Sequence, residues 1–207
     1  MPIALFDIDG TLTASNEVDS ECFADAFRDV FDIEIDKDWG AYEHTTDRGI
    51  ASEALRRFGL AADESALALH RTRFIQQLEK RMTSLDEIRG ASAFIAMLLS
   101  RGWRVALCTG AWSASARLKL ERAGFDFDIP LASCDDDISR EAILRRGIAL
   151  AGGADDVIVS FGDAPWDVRA AANLGLPFIG IGSRSGAAVM FEDYGDPMAL
   201  FAAIERV

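Results

Sequence analysis

Hydrophobic and polar positions follow two different rhythms along this chain. Residues 3–6, Ile-Ala-Leu-Phe, form an unbroken apolar run that ends in the polar turn signal Asp7-Ile8-Asp9-Gly10-Thr11. A short run of this kind predicts a strand buried on both faces. From about 15 to 84 the period is helical. A first helix, capped by Asn16 or Asp19, carries Cys22, Phe23, Ala26, Phe27, Val30 and Phe31 on one face. A second spans 47–58 and is closed by Gly59; a third spans 63–82 with Leu67, Leu69, Phe74, Ile75 and Leu78 inward.

After Ile88 helices and strands alternate. The pattern predicts a helix at 91–100, a strand at 104–108, a helix at 113–123 and a weaker strand at 129–133. It continues with a helix at 139–151, a strand at 157–161, a helix at 165–174, a strand at 177–181 and a last helix at 198–206. Alternation of this kind predicts the α/β class, with a doubly wound parallel sheet covered on both faces. The expected division is an α/β core of 1–14 and 85–207 and an all-α helical cap of 15–84. A segment inserted directly after the first turn is well placed to cover it as a lid.

Composition narrows the functional classes. Half of the 207 residues are hydrophobic, enough for a sizeable core. The net charge of −13 argues against nucleic acid as a partner, which needs a basic footprint. It also means that an anionic ligand requires a local cation or a metal ion. No apolar run approaches the roughly 18 residues of a membrane span, and the N-terminal run lacks a basic lead-in. Cys22, Cys108 and Cys134 are odd in number and scattered, with neither metal-ligand spacing nor a disulfide framework, which fits a reduced, cytoplasmic compartment.

The candidate chemistry lies at the predicted carboxyl ends of strands, where open α/β sheets place their ligands. Asp7 and Asp9 share one turn and can divide labour, one as a nucleophile on phosphorus and the other as proton donor and acceptor. Taken alone, such a pair also fits an acidic loop that caps a helix. After the strand at 104–108 come Thr109 and Gly110, a hydroxyl and a free backbone N–H suited to phosphoryl oxygens. After the weak strand, Ser139 caps a helix and Arg140 can serve as a cationic clamp, whereas Arg145 and Arg146 fit a solvated face. After the strand at 157–161, Gly162-Asp163 and Asp167 can hold Mg²⁺ beside Asp7, since hard cations take oxygen ligands. In the insert, Arg48 within His44-Thr45-Thr46-Asp47-Arg48-Gly49 is a candidate for substrate binding. Trp112 and Trp166 flank two core loops and can wall a pocket, and Trp39 fits the core of the insert. His44 and His70 receive no role.

These four segments, in this order, resemble the haloacid dehalogenase-like superfamily. Asp7-Ile8-Asp9-Gly10-Thr11 looks like its first motif, Thr109-Gly110 its second, Arg140 its third, and Gly162-Asp163 with Asp167 its fourth. The resemblance covers the core, and the insert is similar to the small cap of the phosphoglycolate phosphatase and β-phosphoglucomutase branch. It implies a Rossmann-like core and a Mg²⁺-dependent phosphatase acting on a small phosphorylated metabolite, as a monomer or homodimer. Asp7 would attack phosphorus to give an aspartyl-phosphate, and Asp9 would protonate the leaving oxygen and then activate water. The carboxylates of Asp7 and Asp163 and the backbone carbonyl of Asp9 would hold Mg²⁺, with Asp167 orienting a metal-bound water. Thr109 and Gly110 would contact the transferring group.

The third-motif cation of the family is more often Lys, so Arg140 is a departure. If it pointed elsewhere, Lys119 or an arginine of the insert would have to substitute. A phosphosugar mutase shares every motif. A carbon–halogen hydrolase would not keep Asp9 and would need no Mg²⁺, and a phosphonate-cleaving enzyme would want a cap lysine in better context than Lys37 or Lys80. A non-catalytic phosphate-binding or signalling module similar to a receiver domain would place its reactive aspartate after a later strand.

Overall fold

The computed structural model describes residues 1–153, 157–204 and 206. Among these, six strands form one wholly parallel sheet: β1 (Ile3–Phe6), β2 (Arg104–Cys108), β3 (Leu131–Ala132), β4 (Ile158–Gly162), β5 (Phe178–Ile181) and β6 (Met190–Phe191). Their order is β3-β2-β1-β4-β5-β6. The first strand is thus central, with Phe6 level with Leu107 of β2 on one side and Phe161 of β4 on the other. The chain lays β2 and β3 on one side of β1 and then crosses to β4 on the other, so the residues after β1 open at the point where winding reverses.

Alternate residues of β1 serve the two faces, as the pleat requires. Ile3 and Leu5 join Ile143 and Leu144 of α6 (Arg140–Leu150) and Ala170 of α7 (Pro165–Asn173). Ala4 and Phe6 join Phe94, Ile95 and Leu98 of α4 (Ala91–Ser100), Ala116 of α5 (Ser113–Arg122) and Leu200 and Ala203 of α8 (Pro197–Ile204). Phe6 stacks on Phe161, with centroids 4.4 Å apart, and meets Phe94 edge-on. The α/β, doubly wound expectation therefore holds.

Between β1 and α4 lie α1 (Asn16–Phe31), a 3₁₀ turn (Trp39–Ala41), α2 (Asp47–Arg57) and α3 (Glu64–Arg81). Helices α1 and α3 pack through Phe23, Phe27, His70 and Phe74, whose rings contact one another. Thr46 caps α2 by accepting from the Gly49 amide, and Asp63 caps α3 by accepting from the Ala66 amide at 2.9 Å.

Several expectations are corrected. Neither Asn16 nor Asp19 caps α1; Ser15 holds that position and turns its hydroxyl back to Asp9, while Asn16 and Asp19 reach Asp163 and Lys119 across the molecule. Leu69 is exposed and His70 is buried, because α3 turns positions 67, 70, 74 and 78 inward. The strand expected at 129–133 shrinks to two residues, and β6, another two-residue strand, escapes any periodicity test. The last helix ends at Ile204, while positions 205 and 207, which the expected helix and core reach, and 154–156 of the expected core lie outside the described residues. The three cysteines are buried and free, and no described helix is long and apolar enough to cross a membrane.

Candidate active site

A cavity of about 460 Å³ opens above the carboxyl edge of the sheet. Its floor is made by Asp7, Asp9, Thr109, Gly110, Arg140 and Asp163. The turn after β1 explains how Asp7 and Asp9 reach it. The amides of Thr11, Leu12 and Thr13 all converge on the Ile8 carbonyl, while the Asp7 amide continues the sheet to Phe161 O. Gly10 takes φ 72°, and a Cβ there would lie 2.1 Å from Asn16 Nδ2 and 2.2 Å from Asp163 Oδ2. Only glycine lets the turn pass this close to the fourth loop.

Asp7, Asp163 and Asp167 form a buried triad whose carboxylate oxygens lie within 4.8 Å of one another. Asp163 comes from the end of β4 and Asp167 from the first turn of α7, where it accepts from the Ala164 amide at 3.2 Å. Asp163 accepts from Asn16 Nδ2 and from Arg184, each at 2.9 Å. Burial, and then the Asp167 charge, push the Asp7 carboxyl well above the usual carboxylate range; Arg140 opposes, and Asp163 and Asp9 add to the rise. Asp163 is pushed up to about 6, by burial first and Asp167 second. Asp167 is raised by burial, against the pull of Arg140. Three mutually repelling carboxylates out of water are a set that a hard cation would relieve.

Arg140 is brought to this triad. Its Nη1 donates to Asp167 at 2.7 Å and lies 3.4 Å from Asp7, while Nε and Nη2 donate to the Thr45 carbonyl at 3.1 and 3.0 Å. Burial works against its charge, but Asp167, Asp7 and Asp163 outweigh that and hold the guanidinium charged. Gly110 makes room for it: a Cβ at that position would sit 2.5 Å from Nη2. Thr109 is buried beside it, with its hydroxyl accepting from the Ala111 amide at 3.1 Å.

The Asp9 carboxylate does not join the triad. It lines the cavity beside Asp7 and Asp163 and receives the Ser15 hydroxyl at 2.5 Å and the Lys119 ammonium at 2.7 and 2.8 Å. Of the metal ligands expected, Asp9 is thus left to contribute through its backbone carbonyl, as the resemblance implies, while its carboxylate is held by Ser15 and Lys119. Lys119 also pairs with Asp19 of α1. Burial opposes its charge, yet Asp19, Asp9 and Asp47 together raise its affinity for the proton. Asp19 itself is pushed up to about 6 by burial, with Lys119 opposing.

Arg48 is not brought to the cavity. Helical spacing turns Asp47 and Ile50 of α2 toward it, and Arg48, a third of a turn away, pairs with Glu64 at 3.2 Å. The loop before α2 grips the core instead. The Asp47 amide donates to Gly110 O at 2.8 Å, Asp47 Oδ2 accepts from the Trp112 amide at 3.0 Å, and Thr46 Oγ1 donates to Ile138 O at 3.0 Å. Trp166 lines the cavity as expected, and Trp39 lines it too while donating to Ser20 at 3.1 Å. Trp112 is buried in the core and does not.

The sequence reading missed Asn16, Asp19, Asp47 and Arg184, and saw Lys119 only as a substitute for Arg140. One signal was present: Lys119 falls on the same face of α5 as buried Ser115 and Ala116, where a solvated lysine has no place.

A family model described as haloacid dehalogenase-like hydrolase matches residues 1–175. The chain belongs to the haloacid dehalogenase-like hydrolases. The four loops that meet over its sheet are the segments that carried the resemblance. No curated protein matches by sequence. Among solved structures, a hydrolase from Pseudomonas syringae superposes with a TM-score of 0.80 at 20% identity, covering 100% of this chain and 99% of that one. CbbY from Rhodobacter sphaeroides in complex with phosphate gives 0.71 at 19% identity, over 94% and 95% of the two chains. A mutant of the same CbbY was solved with xylulose-(1,5)bisphosphate, at a TM-score of 0.72, 18% identity and coverage of 94% and 95%. A predicted phosphoglycolate phosphatase from Haemophilus somnus gives 0.68 at 16% identity, over 96% and 97%.

Proposed function

We propose that this haloacid dehalogenase-like hydrolase is a Mg²⁺-dependent phosphatase of small phosphorylated metabolites, acting through an aspartyl-phosphate at Asp7. The observation that carries the reading is the buried Asp7–Asp163–Asp167 triad under a cavity large enough for a phosphosugar, with Arg140 against two of its members. The phosphate and phosphosugar held by CbbY support the same ligand class. Asp7, Asp163 and the Asp9 carbonyl are the groups for the cation, with Asp167 beside them. Bound there, Mg²⁺ supplies positive charge against a transferring phosphoryl group.

The residues of the chain divide the remaining work. Asp7, at the end of β1, is the nucleophile, and the Arg140 guanidinium favours its ionised form. The Thr109 hydroxyl and the amides of the 109–111 loop donate to phosphoryl oxygens. Asp9 gives a proton to the leaving oxygen and later takes one from water. The helical insert acts as a cap, and contributes Ser20, Lys37 and Trp39 to the lining of the cavity. Substrate choice rests on these residues and not on Arg48.

Turnover of p-nitrophenyl phosphate with Mg²⁺ and with EDTA tests the reading, followed by a panel of phosphorylated metabolites ranked by kcat/KM. Activity should require the metal and vanish in Asp7→Asn. Turnover that survives EDTA, or survives loss of the Asp7 carboxylate, would refute it.

A further inference from the structure

Two cations reach the turn after β1, and each takes a different aspartate. Arg140 faces Asp7, while Lys119 faces Asp9. The first belongs to the motif set already described. The second comes from α5, a helix that lends no side chain to the lining of the cavity, and it is fully buried behind Asp9 and Asp19, which do line it. An ammonium out of water is retained only where carboxylates and hydrogen bonds compensate its desolvation. Here Lys119 bonds Asp9 on the core and Asp19 on α1 of the insert.

We infer that Lys119 is a positioning residue for Asp9, with Asp19 as its second anchor. The inference deepens the phosphatase reading and rests on Asp9 being its proton donor and acceptor. Both oxygens of Asp9 are engaged: Oδ1 by the Ser15 hydroxyl and Lys119, Oδ2 by Lys119. Ser15 is held in turn by Thr13 Oγ1 at 2.9 Å. A carboxylate fixed from two sides keeps one rotamer. Proton transfer needs that rotamer, because the donor must stand within hydrogen-bond reach of the leaving oxygen, and a displacement of about 1 Å can cost about 10²-fold in rate. Since Asp19 belongs to the insert, the same ammonium ties the orientation of Asp9 to the docking of α1 on the core.

A lysine that merely neutralised buried charge would affect stability and nothing else. The two roles separate in the leaving-group dependence of kcat/KM, which covers only the steps through phosphoryl transfer. Nitrophenolate departs without a proton, whereas phenolate departs far better with one. Wild type and Lys119→Met are compared with Mg²⁺ on p-nitrophenyl, phenyl and p-methoxyphenyl phosphates. The variant should lose about 10²-fold on the last two and about tenfold or less on the first. Asp19→Asn should show the same trend, weaker. If Lys119→Met does not fold, the Lys119→Met/Asp19→Asn double variant removes one charge of each sign and must show the same trend. An equal loss across the three esters overturns the positioning role while leaving the phosphatase reading intact. A wild type inactive on all three esters overturns both.

Discussion

Acid should loosen the helical insert, through one histidine. His70 is buried between α1 and α3, ringed by Phe23, Phe27 and Phe74, and one ring nitrogen bonds the Phe23 carbonyl at 3.1 Å. Its Nδ1 is buried without a partner among the described residues, so a proton added there would meet only apolar surroundings. Burial pushes the imidazole from its ordinary 6.5 down to about 4; the bond to Phe23 opposes this weakly. The folded chain therefore refuses a proton that the unfolded chain accepts. Above pH 6.5 neither state carries it and the site costs nothing. As pH falls from 6.5 toward 4 the unfolded state gains protons and stability is lost, at 1.36 kcal/mol per unit where the difference is complete. The deficit is about 2 kcal/mol at pH 5 and about 3 kcal/mol at pH 4. His70→Gln keeps a hydrogen-bond donor without the titration. Urea melts of both proteins at pH 7.5 and pH 5 isolate the effect. Wild type should lose about 2 kcal/mol more than the variant over that interval, and parallel losses would refute the assignment.

Two further outcomes follow from the charges under the cavity. Asp163 has a folded-state pKa of about 6, above its unfolded value, so it destabilises the metal-free protein above pH 6 and the penalty fades as pH falls through that value. Asp163→Asn should raise the melting temperature of metal-free protein by about 4 °C at pH 7.5 and by less at pH 5, and, on the metal role proposed for it, should not be stabilised by added Mg²⁺ as wild type should be; a lower melting temperature at pH 7.5 would contradict this. Arg140→Met leaves Asp7 and Asp167 without their shared cation and should reduce kcat by about 10²-fold or more. Arg140→Lys should recover part of that loss, because a point charge can reach Asp7 and Asp167 but cannot also keep both bonds to Thr45; a kcat for Arg140→Met within a few-fold of wild type would exclude its role.

The sheet and its loops were legible because their information is local. A run such as Ile3–Phe6 buries itself whatever surrounds it, and the residue that follows must emerge at the strand end. Asp7, Thr109 and Asp163 each follow the last residue of a strand, so the parallel sheet gathers them, whereas Arg140 opens α6 well beyond β3 and reaches them through its long side chain. The second ring of contacts is not local. Asn16, Asp19 and Lys119 sit on helices, and what they meet depends on how the insert lies over the core. A polar residue in the first turn of α1 looks like a cap from sequence, and only the docking of that helix turns Asn16 onto Asp163 and Asp19 onto Lys119. Arg48 fails for the opposite reason: it is adjacent to the right residue, but one helical step rotates it out of the cleft.

The loop before α2 has an effect larger than its length. Arg140 commits two of its nitrogens to the Thr45 carbonyl, and the next two residues bond Ile138 and Gly110. Lifting residues 45–47 from the core would strip two hydrogen bonds from the guanidinium that faces Asp7 and leave it held by Asp167, with Asp7 at 3.4 Å. If Asp7 is the nucleophile proposed above, exposure of the cleft and loss of these two bonds to its neighbouring cation would be coupled.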